Sequence, residues 1–81
     1  MTTANAYETA GRLVKATRIA DILAAHGYGS AQVAGFNEEQ RVLAASAAQY
    51  TRKKAPSPET WEMVVKLLRQ REEAKEEAKH G

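Results

Sequence analysis

The longest stretch without a helix breaker begins at Pro58, and it constrains this chain most. Ser57 precedes Pro58. This pair is typical of a helix start, because a serine hydroxyl accepts the free amides of the first turn and proline lacks the N–H that would be unpaired there. We therefore predict one helix from residue 58 to Lys79. Its apolar residues stop at Leu68 and residues 69–79 are almost wholly charged or small, so we expect its second half to leave the core. The apolar stripe comprises Trp61, Val64, Val65 and Leu68.

Two helical segments are predicted in the first half of the chain. The first starts at Asn5 and runs to His26, where Gly27 provides a stop. After this glycine-rich joint, Ser30 is placed to cap a short turn over residues 31–34.

A further helix follows from a capping pattern. Asn37 is expected to be its cap, with Gln40 three residues later positioned to reach back. Pro56 ends the segment, because the residue before a proline avoids helical angles. The short linker that follows predicts a tight pair between this helix and the last one.

These segments predict an all-α fold: a small three-helix bundle with an additional short helical turn and a projecting charged C-terminal helix. We expect a single domain over residues 1–81, with a core at about 5–68 and a charged extension at 69–81. The predicted core faces comprise Leu13, Ala16, Ile19, Ala20 and Leu23 on the first helix, and Leu43, Ala47 and Tyr50 on the third.

Composition narrows the class of protein. The chain has 81 residues, no cysteine and a net charge of +2, from 12 Lys+Arg against 10 Asp+Glu. So small an excess does not predict a chain that coats nucleic acid by charge alone. The first five residues lack the features of an export signal, and no apolar run reaches the roughly 20 residues needed to cross a bilayer. We expect a cytoplasmic protein without a membrane partner.

No residue pattern predicts catalysis. The two histidines, His26 and His80, are far apart in the chain, whereas a zinc site needs three or four ligands at set spacings. None of the serines has a histidine at a suggestive spacing, and helix capping accounts for two of them. We predict no catalytic residue, no metal, no cofactor and no small-molecule substrate. The chain is not expected to be an enzyme.

Apolar residues exceed what one small bundle can cover. Met63 and Leu67 extend the apolar surface around the last helix, and Tyr7 and Val14 lie outside the main stripe of the first. Exposed apolar patches mark interaction sites. We therefore predict a non-enzymatic protein–protein interaction module or a self-associating chain, with Trp61, Met63 and Leu67 as contact residues.

Trp61 has two interpretations. Buried, its indole would anchor the last helix against Leu43 and Leu23. Exposed, it would be a strong interface anchor, since aromatic residues dominate binding energetics.

The alternative prediction is a helix-turn-helix DNA-binding regulator. Residues 17–36 supply an amphipathic helix, a glycine turn and a short second helix, which would offer Gln32 to base edges. Arg52, Lys53 and Lys54 would meet phosphates, although charge at a helix C-terminus equally explains them. A structural subunit of a larger particle also fits the sequence.

The chain resembles a group of small proteins in style. The relevant segments are 22–28, Val33, 38–41 and 56–61, which look like those of short alanine-rich helical accessory proteins of actinobacteria and their phages. The resemblance implies a small phage or regulatory factor that acts on a host protein, and it assigns no functional residue.

Overall fold

The computed structural model describes residues 3–48 and 54–80, with side chains described for 9–48 and 54–77. Four helices account for most of these residues, and none of the described residues forms a strand. The helices are α1 (Thr3–Ala25), α2 (Ser30–Ala34), α3 (Glu38–Ala47) and α4 (Pro58–His80). The predicted all-α class is confirmed. Within the described ranges, no helix combines the length and the hydropathy that crossing a bilayer requires.

Local signals define most of the helix ends. Gly27 has φ +85°, and its amide and that of Tyr28 donate to the carbonyls of Ala24 and Leu23, both at 3.0 Å. This is a Schellman motif, in which a glycine without a Cβ adopts the left-handed conformation. The predicted stop at Gly27 is confirmed. The predicted start at Asn5 is wrong, because α1 begins at Thr3.

The caps of α3 and α4 are also as predicted. The Gln40 amide donates to Asn37 Oδ1 at 2.8 Å and the Asn37 amide donates to Gln40 Oε1 at 2.9 Å, which is a complete capping box. At the start of α4, the Thr60 amide donates to Ser57 Oγ at 3.2 Å. Each of these bonds joins residues three apart, so each depends on local sequence alone.

The packing order differs from a simple bundle. α1 contacts both α4 and α3, and α2 contacts α4. No Cα of α3 comes within 8 Å of a Cα of α4 in the described residues, so the predicted tight pair of these helices is wrong. The finer description as a three-helix bundle is not confirmed either, since α2 packs as an element of its own with Ser30 and Val33 buried.

The core confirms most of the α1 stripe and corrects that of α3. Ala16, Ile19, Ala20 and Leu23 are buried, but Leu13 is 48% exposed because the core begins one turn later. On α3 the buried residues are alanines, whereas Leu43 is 64% exposed and Ala47 is exposed. Alanine allows backbones to approach closely, so α3 turns this face inward and its leucine outward. Tyr50 lies outside the described residues. The core comprises Ala16, Ile19, Ala20, Leu23, Val33, Ala44, Ala45, Ala48, Trp61, Val64 and Leu68.

Candidate functional site

Three aromatic side chains from different parts of the fold form a continuous wall. Phe36 lies between Tyr28 and Trp61, with ring centroids 5.4 Å from Tyr28 in an edge-to-face arrangement and 6.0 Å from Trp61 in a tilted one. These distances are those of interacting aromatic pairs. Tyr28, Phe36 and Trp61 are called the aromatic wall below, and a groove lies against each end of it.

Trp61 is the buried end of the aromatic wall. It is 4% exposed, and its Nε1 donates to the carbonyl oxygen of Val33 at 3.1 Å. The predicted anchor role therefore fits, but the neighbours differ from those expected. Phe36 and the end of α2 pack where Leu43 was predicted, and Leu43 faces solvent.

The first groove is apolar and lies where α1, α2 and α3 meet. It has a volume of about 560 Å³. Tyr28 and Phe36 form one side, and the exposed Leu43 side chain contributes to the lining. Polar side chains also line this groove, but none of them is a carboxylate, a lysine or an arginine. This apolar groove is defined by Ile22, His26, Tyr28, Gln32, Phe36, Gln40 and Leu43.

The second groove is basic and runs along one face of α4. It has a volume of about 540 Å³. Arg41 of α3 lies at its edge, with its guanidinium carbon 5.7 Å from the centroid of the Trp61 ring, within cation–π range. This basic groove is defined by Arg41, Pro58, Trp61, Glu62, Val65, Lys66 and Arg69.

A carboxylate from α4 covers the start of α2. Glu72 accepts the Ser30 amide at 2.6 Å through Oε1 and the Ser30 hydroxyl at 2.7 Å through Oε2. Both bonds, with a smaller contribution from Arg69, hold the pKa of Glu72 below its ordinary value. Ser30 was predicted to cap α2, but Gly29 occupies the cap position and the Ser30 hydroxyl binds Glu72 instead.

A neighbouring ion pair also attaches α4 beyond the predicted end of the core. Arg71 binds Asp21 of α1 at 2.7 Å, between side chains that are 39% and 60% exposed. An ion pair this exposed contributes about 0–1 kcal/mol. Together with Glu72, it keeps α4 in contact with the rest of the fold for one turn beyond Leu68.

The predicted protein-contact residues occupy different positions. Met63 and Leu67 are half-buried and pack against the core. Only part of each side chain is available, and neither lines either groove. Val14 is 55% exposed on α1. The Tyr7 side chain lies outside the described residues.

The predicted DNA-contact residues are only partly described. Gln32 is exposed beside the apolar groove, and Lys54 is exposed. Arg52 and Lys53 lie outside the described residues.

Sequence reasoning missed the residues that shape the grooves. Leu43 was placed in the core, because a helical wheel does not reveal which of two apolar faces turns inward. Phe36 precedes the Asn37 cap and was read only as part of a helix start. A single phenylalanine directly after a helix-ending glycine was the signal for a second anchor beside Trp61.

Neither metal-site geometry nor similarity assigns a function. No group of three or more His, Asp or Glu side chains in the described part of the chain is arranged to hold a metal ion. Comparison of the chain with protein-family models, with curated proteins and with solved structures finds no match in any of the three.

Proposed function

We propose that this chain is a non-enzymatic protein–protein interaction module that binds another protein through its apolar groove. The observation that carries the proposal is the position of Leu43 and Tyr28. The large hydrophobic side chains exposed among the described residues are Leu13, Val14, Tyr28 and Leu43, and two of these four line one groove. Clustered exposed apolar surface favours a binding site, whereas single exposed residues are ordinary.

The composition of the groove suits a protein ligand. Its centre is aromatic and aliphatic, and amide and imidazole side chains lie around it. Protein interfaces combine an apolar, charge-depleted core with a polar rim in the same way. The partner is therefore expected to insert one or two aliphatic or aromatic side chains.

The three contact residues predicted from the sequence have secondary roles in this proposal. Trp61 holds Phe36 and so stabilises one side of the groove, while the partly exposed Met63 and Leu67 provide secondary apolar contacts. The resemblance to short alanine-rich accessory proteins of actinobacteria and their phages favours a small phage or regulatory factor that acts on a host protein.

The test is a pair of matched substitutions. Leu43→Ser and Val14→Ser each remove a large exposed apolar side chain, and both should change the unfolding free energy by no more than about 0.5 kcal/mol. A photo-crosslinking residue at position 43, used in a lysate of the source organism, identifies the bound protein by mass spectrometry. Leu43→Ser should weaken binding of that protein by at least about tenfold, the loss expected on removing one buried leucine contact.

Val14→Ser is the control and should retain that affinity. Equal binding by both variants, or sedimentation as a monomer with no crosslink at position 43, would contradict the proposal.

The DNA-binding alternative has less support. The short helix that would enter the major groove has the Glu72 carboxylate at its N-terminus, and α3 begins with Glu38 and Glu39. These negative charges repel phosphates at the ends where a reading helix approaches DNA. The exposed Gln32 and Lys54 are the described residues that remain available to this alternative.

A further inference from the structure

The basic groove contains more cations than carboxylates. Arg41, Lys66 and Arg69 line it, against the single carboxylate of Glu62. None of these three cations forms an ion pair with a side chain that the structure describes. Arg69 is near enough to Glu72 to lower the pKa of that carboxyl, but the two do not form an ion pair. The groove therefore carries more positive than negative charge.

Arg41 is positioned by packing against Trp61 and has no charge partner among the described side chains. Its guanidinium lies over the Trp61 ring, and its Nε is buried without a hydrogen-bond acceptor among the described residues. A buried donor left unpaired costs free energy, and a fixed guanidinium loses less side-chain entropy when it binds an anion. The Arg41 guanidinium is thus held at the edge of the groove, and its Nε has no acceptor in the described part of the chain.

The remaining lining is apolar. Pro58, Val65 and the edge of the Trp61 indole line the groove with the cations, and the α4 residues follow helical spacing from Pro58 to Arg69. At about 1.5 Å per residue, this face is about 16 Å long. Its length and mixed character match three turns of a helix that carries both aliphatic and acidic side chains. A phosphate backbone would match the cations and leave the apolar surface without a partner.

We infer that the basic groove binds an acidic amphipathic segment of a partner protein, with carboxylates on Arg41, Lys66 and Arg69 and an aliphatic side chain against Val65 and Pro58. This surface is separate from the apolar groove. The inference therefore does not depend on Leu43, and the two proposals can fail independently.

The probe is a synthetic helical peptide of about twelve residues, about 18 Å long, with leucines at helical spacing and glutamates between them. A matched peptide carries lysine in place of each glutamate, and a duplex DNA provides the nucleic-acid alternative. Binding to the full chain is measured by fluorescence anisotropy and by the Trp61 indole N–H resonance, which is a single signal because the chain has one tryptophan. The glutamate peptide should bind and shift this resonance, with an affinity that falls as salt rises.

Charge reversal at the groove provides the decisive comparison. Lys66→Glu should weaken the glutamate peptide by about fivefold or more, as expected for reversing one exposed charge contact. Lys75→Glu makes the same change at an exposed α4 site outside the groove and should leave affinity within about twofold.

Four outcomes would overturn the inference. They are equal losses in the two variants, tighter binding of the lysine peptide, tighter binding of DNA, and self-association that Lys66→Glu abolishes while the glutamate peptide fails to bind.

Discussion

The short helix α2 and the longer helix α3 are attached to the fold in opposite ways. α2 has five residues, and α4 supplies a partner at each end: Glu72 binds Ser30 at the start and the Trp61 indole binds the Val33 carbonyl at the finish. α3 has ten residues, and its cap is its own Asn37–Gln40 pair. Its buried face is alanine.

This difference shows that the length of a helix does not indicate how firmly it is attached to the rest of the fold. A five-residue helix is too short to be stable alone, so its stability must come from tertiary partners. A helix with a good cap is less dependent on them, but alanine burial removes little apolar area from water. We therefore expect α2 to open only when α4 detaches, and α3 to open locally.

The largest effect should come from removing the anchor shared by α2 and the aromatic wall. Trp61→Ala should lower the free energy of unfolding by about 3–5 kcal/mol, because a large buried side chain leaves a cavity. Trp61→Phe keeps an aromatic ring and loses the Nε1 bond, and the Val33 carbonyl still accepts the Phe36 amide at 3.1 Å. Its cost should be about 1–2 kcal/mol.

Urea unfolding followed by far-UV circular dichroism measures both values without relying on tryptophan fluorescence. A loss below about 1 kcal/mol in Trp61→Ala would show that α2 does not depend on this contact.

A smaller effect, confined to α3, should follow loss of its cap. Asn37→Ala removes the acceptor for the Gln40 amide and should cost about 1 kcal/mol. Hydrogen exchange should accelerate in the α3 amides and not in those of α2. Asn37→Asp keeps an acceptor and should restore protection. Equal acceleration in both helices would mean that they open together and would refute the contrast.

The smallest effect should be a pH dependence at the start of α2. The Ser30 hydrogen bonds lower the pKa of Glu72 in the folded chain. The carboxylate therefore stabilises the fold above its ordinary pKa, and this contribution is lost as the pH falls through the lowered value. Glu72→Gln should be less stable than the parent chain near neutrality, and this gap should close in acid.

Glu73→Gln removes the same charge from an exposed neighbour and serves as the control. Urea unfolding at neutral and acid pH measures the gap. A difference between parent and Glu72→Gln that does not change with pH would exclude the carboxylate as the cause.

Sequence reasoning succeeded where the partners are close in the chain. The Asn37–Gln40 box and the Ser57 cap each span three residues, and the Gly27 motif spans five. It failed at α3, where Leu43 and the alanine face were both plausible inward surfaces. Two of the three residues proposed for protein contact are half-buried and the third is buried, while the apolar groove is lined by Leu43, which the pattern had assigned to the core, and by Phe36, which it had assigned to a helix start.

By itself, the sequence determined that this protein is helical and where α1 ends and α3 and α4 begin, because capping and backbone preference act over a few residues. Only the tertiary structure decided what holds α2 and which side chains remain available for binding. The Ser30–Glu72 bonds join residues 42 apart and the Trp61–Val33 bond joins residues 28 apart. Such contacts depend on how the helices are rotated against one another, and that rotation is set by the packing of all the faces together.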